Sequence, residues 1–159
     1  DGCAYVEDNG KRIFSLEYSE NAPPYLSYKL DYDRTWGYVS KFGPSDKNVN
    51  VWNITDPHQP TLEANYSTKV GESPYFDITG EITNLKQISI FSDGIYSFKY
   101  KGSQVEPKID FMERVETYSN YPIKKGEFLI RNFKYNSKQN EKNNREHYDD
   151  LSCASLVRY

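Results

Sequence analysis

Short runs that alternate apolar or aromatic side chains with polar ones recur along this chain, and that pattern limits its fold more than any other feature. Successive side chains of a strand point to opposite faces, so runs of this kind make half-buried strands. Residues 11–18 read this way. So do 25–32, which follow Pro23-Pro24, and 36–42, which end at Gly43-Pro44. Residues 48–54, 61–70 and 75–79 continue the series, with Gly71 and Pro74 separating the last two. Residues 127–135 and 154–159 read as strands as well. Residues 109–119 carry two periods: Ile109, Met112 and Val115 fit a helix, whereas Phe111, Glu113 and Val115 alternate. Alternation is the preferred reading there.

The clearest expectation is a hairpin over 85–101. Asp93-Gly94 supplies a turn that calls for positive φ, and Tyr96, Phe98 and Tyr100 line one face of its second arm. Residues 136–150 have almost no apolar content and read as a solvated loop. About ten short strands with turn signals between them predict an all-β fold, an antiparallel β-sandwich or barrel with little helix. The whole chain, 1–159, is expected to form one domain. Leu, Ile, Val and Phe are scarce for a core of that size, and 15 Tyr and 2 Trp make up the difference. Each packed ring buries roughly 150–250 Å².

The two cysteines, Cys3 and Cys153, lie near opposite ends. A disulfide between them would close nearly the whole chain into one loop and contribute roughly 5 kcal/mol by loop-closure entropy. It would also imply an oxidising compartment. The chain opens on Asp1 without an apolar leader, as a mature exported form would. Together these features predict a secreted, extracellular protein. Two N-x-[ST] triplets, at Asn53 and Asn65, would permit glycosylation. Formal net charge is −3 with both signs interspersed, so no basic face invites a nucleic acid. No apolar run approaches the roughly 18 residues that span a bilayer.

No G-x-S-x-G elbow, phosphate-cradling glycine loop, H-E-x-x-H or C-x-x-C spacing is present. No catalytic residue, metal ligand or cofactor is therefore assigned. Asp31 and Asp33, two apart on the expected strand, would share a face, but no loop supplies the remaining ligands of a calcium site. Aromatic residues carry the binding reading: Tyr32, Trp36, Tyr38, Trp52 and Tyr66, beside hydroxyl and carboxylate groups, suit stacking against a sugar or contact with a protein. The 136–150 segment would complete that surface. The sequence thus predicts a non-enzymatic binding module with a carbohydrate or protein ligand. A ribonuclease-like hydrolase is the first alternative, resting on His58 and His147 with Glu146 and Arg145 or Arg158. A lipocalin-like carrier of an apolar ligand is the second, hinted at by Trp36, although Gly37 follows that residue where a Gly-x-Trp signature would have glycine before it.

Overall fold

In a computed structural model of the chain, the described residues are 2–18, 32–42, 46–56, 58–69, 84–102, 108–119, 127–147 and 149–158. Two expected strands, 25–32 apart from its last residue and 75–79, lie outside them. Six strands form one antiparallel sheet: β1 (Gly2–Glu7), β2 (Lys11–Tyr18), β3 (Asp46–Asn53), β4 (Thr61–Lys69), β5 (Gln87–Phe91) and β8 (Cys153–Val157). Their order is β4-β3-β2-β1-β5-β8. The chain meanders outward from β1 to β4, then returns to build β5 and β8 on the other flank of β1. The strand expectations at 11–18, 48–54, 61–70 and 154–159 correspond to β2, β3, β4 and β8. The large antiparallel sheet was foreseen. It ends at two separate edges, β4 and β8, so it is open rather than closed into a barrel.

Three α-helices stand where strands or a loop were expected: α1 (Tyr32–Phe42), α2 (Lys108–Ser119) and α3 (Glu127–Lys142). In α1, Tyr38 is buried while Trp36, two positions away, is exposed, which contradicts a shared strand face. Burial, and secondarily Tyr38, push the Tyr18 hydroxyl pKa up. In α2 Phe111, Met112, Val115, Tyr118 and Ser119 are buried, a helical stripe at i, i+1, i+4, i+7 and i+8, and Arg114 is buried beside it. Alternation at Phe111, Glu113 and Val115 was the misleading part of a mixed signal.

Helix α3 was hidden for a different reason. Amides, Asn132, Asn136 and Asn140, four residues apart, carry much of its inward face beside Phe133, so its apolar periodicity is weak. Asn132 and Asn136 satisfy the last carbonyls of α2, which have no partner within their own helix. Asn132 Nδ2 donates to Thr117 O and Tyr118 O at 3.3 and 3.4 Å, and Asn136 Nδ2 donates to Thr117 O at 3.4 Å. The remaining carbonyl, Ser119 O, accepts from Gln87 Nε2 of β5 at 2.7 Å. The helix stops at Asn143-Asn144, where Asn144 takes a φ of 63°. The expected 136–150 loop is therefore the end of α3, this turn, and β7 (Arg145–His147).

The predicted 85–101 hairpin does not form either. After β5 the chain makes a short 3₁₀ turn, Asp93–Tyr96, and β6 (Phe98–Tyr100) turns away to pair with β7, Phe98 opposite His147. Gly94 serves close approach rather than positive φ: a Cβ there would stand 2.2 Å from Asp150 O. Ser92 locks the same contact, because its Oγ donates to Asp150 O at 3.0 Å and accepts from Ser152 N at 2.9 Å. This returning backbone delivers β8 to β5 and occupies the edge that the hairpin arm would have taken.

The core lies between one sheet face and α2. Cys3, Tyr5, Ile13, Ile54 and Phe91 meet Ile95, Phe98, Phe111, Met112, Val115 and Tyr118. The expected Cys3–Cys153 bridge is absent, and both thiols are free. Cys3 of β1 and Cys153 of β8 are each cross-strand partners of Phe91 in β5. Two strand spacings, about 9–10 Å, therefore separate them, beyond the roughly 7 Å Cα limit for a disulfide.

Candidate functional site

The aromatic residues singled out from the sequence differ in burial. Trp52 packs against the core and Tyr38 is buried in α1. Trp36 on α1 and Tyr66 on the edge strand β4 are exposed, and Tyr32 begins α1. Asp33 falls in the first turn of α1 rather than on a strand, and Asp31 lies outside the described residues. Asn53 Nδ2 donates to Glu63 Oε1 at 2.8 Å, and Asn65 Nδ2 donates to Asn50 Oδ1 at 2.6 Å. The amide nitrogens of both sequons are thus engaged within the sheet. Among the described residues no group of three or more His, Cys, Asp or Glu could hold a metal ion, and no helix is long and apolar enough to cross a membrane.

A cavity of about 750 Å³ opens between α3 and the β6–β7 pair. Six of its lining residues come from the 136–150 segment: Ser137, Asn140 and Glu141 from α3, then Arg145, Glu146 and His147 from β7. Lys101 follows β6, and Phe98, Phe133 and Leu151 supply the apolar wall. A tight helix stop at Asn143-Asn144 brings the two groups of side chains face to face. Lys101 N donates to Asn144 O at 2.9 Å, holding that turn against β6. The sequence had marked this segment, yet the helix-strand fold that makes it concave was hidden by its polar composition.

Several cavity residues are positioned by hydrogen bonds that leave little freedom. Arg145 Nη1 donates to Asn140 Oδ1 at 3.2 Å, and Asn140 Nδ2 donates to the Tyr118 hydroxyl at 3.2 Å. Arg145 Nη2 donates to the Tyr100 hydroxyl at 2.9 Å and lies 3.3 Å from Asp110 Oδ2, itself the acceptor of the Tyr100 O–H. The His147 ring lies against Phe98 in a tilted contact with centroids 4.4 Å apart, and its Nε2 sits 3.1 Å from Gly94 O. A carbonyl can only accept, so that nitrogen carries the proton. The Arg114 guanidinium lies 4.2 Å from the Phe98 ring centre.

The two histidines have separate surroundings. His58 Nδ1 contacts Glu113 Oε1 of α2 at 2.7 Å, whereas His147 lines the large cavity and His58 does not. Both thiols are poor nucleophiles in place. Burial, with a smaller contribution from Cys153, pushes the Cys3 pKa up, and burial raises that of Cys153. No family model, curated protein or solved structure matches this chain.

Proposed function

We propose that this protein is a non-enzymatic binding module whose ligand, a small hydroxyl-rich molecule of the carbohydrate class, occupies the cavity between α3 and β6–β7. One observation carries the reading: a concave site of about 750 Å³ in which prepositioned donors and acceptors converge beside an apolar wall. Ligand sites commonly fall between about 300 and 1,000 Å³ and combine those two kinds of lining. Glu141, Glu146, Asn140 and Ser137 offer acceptors and donors to hydroxyl groups, while Phe133 and the exposed His147 ring suit the C–H face of a sugar. Catalysis is not part of the proposal, because only one histidine lines the cavity and its Nε2 proton is held by Gly94 O. With both cysteines free, the reading does not depend on an oxidising compartment.

An array of soluble saccharides, followed by calorimetric titration of any hit, tests it. Ser137→Trp places a bulky ring on the exposed side of α3 at the cavity wall, and should weaken binding at least about tenfold, or about 1.4 kcal/mol. Silence across the array, or equal binding by the variant, would remove the proposal.

A further inference from the structure

Strand β8 ends the sheet, and among the described residues no strand pairs with its outer edge. The backbone direction of that edge follows from its flanks. Ser92 N donates to Ser152 O at 3.0 Å, and Arg158 N donates to Lys86 O at 2.8 Å. Ser152 and Arg158 thus turn their backbone groups toward β5, and strand alternation gives Ala154 and Leu156 the same direction. Cys153, Ser155 and Val157 turn theirs outward. Three N–H and three C=O groups therefore stand at even spacing along the outer edge, with Ser155 at the centre.

The side chains beside this edge are apolar. Leu156 is 65% exposed, and Ala154 is exposed as well. Both lie on the sheet face that carries the exposed Ile90 of β5, the cross-strand partner of Ala154. Open edges of this kind are commonly guarded by charge, proline or a bulge. The opposite edge of the sheet, β4, has Glu63 and a register shift against β3. Strand β8 has none of these devices.

We propose that β8 is a self-pairing edge, on which a second copy of this chain adds its own β8 antiparallel about a two-fold axis at Ser155. The occupant follows from the symmetry of the edge. Ser155 against Ser155 of the second copy sets Cys153 against Val157 and Val157 against Cys153. Every outward N–H and C=O then finds a partner. The same register puts Ala154 opposite Leu156 of the second copy, in the closer non-hydrogen-bonded pairing, and carries the apolar stripe across the axis. Beyond the strand, Arg158 falls opposite Ser152 of the second copy and diagonal to its Asp150. Both charged side chains are exposed, and the pair occurs once at each end, so the charges complement one another. Five strand residues a side fall well short of the roughly 20–30 of a stable interface. The dimer is accordingly weak, with a dissociation constant between about 10 µM and about 1 mM.

Sedimentation equilibrium of the full chain in reductant should show mostly monomer at about 10 µM, moving toward twice that mass by about 1 mM. Over the same range, amide exchange at Cys153, Ser155 and Val157 should slow several-fold. Ala154 and Leu156, already bonded to β5, should not change. Ser155→Pro removes the central outward N–H without touching a bond to β5, and should raise the dissociation constant at least about tenfold. Should that variant fail to fold, Arg158→Glu decides the matter: it should weaken the dimer several-fold, and adding Asp150→Lys should restore it. A chain still monomeric at about 1 mM would overturn the proposal and leave the edge to a strand from another protein. Slowed exchange on β4 in place of β8 would overturn it too, as would a dimer indifferent to both Ser155→Pro and Arg158→Glu.

Discussion

Cys3 and Cys153 face the same side of the sheet in one cross-strand row, kept apart by Phe91, which pairs with both. Two thiols per chain should therefore react with a thiol reagent after unfolding, with no reductant added. In the native protein Cys153, half-buried at the sheet edge, should react before the buried Cys3. A chain that shows no free thiol until reduced would contradict this register.

The helix-end contact of Gln87 gives a second prediction. Its Nε2 donates to Ser119 O at 2.7 Å and also lies 2.9 Å from Ser89 Oγ, all buried. Gln87→Leu keeps the bulk but strands the α2 carbonyl, at a cost of about 1–3 kcal/mol read as a lowered urea midpoint. An unchanged midpoint would mean that α2 finds another cap.

Two glycines should respond with opposite signs. Gly94→Ala drives a methyl group into Asp150 O, which belongs to backbone held by Ser92, and should cost about 1–3 kcal/mol. Gly37 sits in exposed α1 with nothing within 4 Å of an added Cβ, so Gly37→Ala should stabilise by about 0.5–1 kcal/mol. Parallel urea titrations of the pair separate close approach from simple helix propensity.

Alkaline pH should weaken the fold. Burial raises the folded pKa of Cys3 above its ordinary 9.0, and those of Tyr5 and Tyr96 above 10.0. In the unfolded chain these groups lose protons first, so the native state then holds more protons than the unfolded one and stability falls as pH rises. Their contribution is complete below about pH 9 and declines above it. Arg114 acts oppositely: with a folded pKa of about 9 against 12.5, it favours the native state as pH climbs between those values. Tyr18 and Cys153, raised by burial as well, act with those three, so five groups against one predict a net fall in the urea midpoint above about pH 9, steeper still in Arg114→Met. A midpoint that rises through that range would refute the assignment.

Alternation was enough to identify β2, β3, β4 and β8 of the main sheet, where the period of two is written directly, but not β1, which is buried on both faces. It also located the segment that lines the large cavity, through its dense polar composition. Helix α2 was legible at Phe111, Met112, Val115 and Tyr118, had that stripe been weighed above Phe111, Glu113 and Val115. Helix α3 was not, because Asn136 and Asn140 are buried to serve the backbone of α2 and the side chains of Tyr118 and Arg145, a need that exists only once those groups are nearby.

The sequence by itself determined an antiparallel sheet built from half-buried strands with aromatic residues in its core. Tertiary structure alone decided where residues 95–101 and the two cysteines went. Local propensity at Asp93-Gly94 favours a hairpin, but strand β5 has only two edges, and β1 and β8 fill both. Edge pairing is a competition among distant segments, settled by packing and backbone approach that no local pattern records.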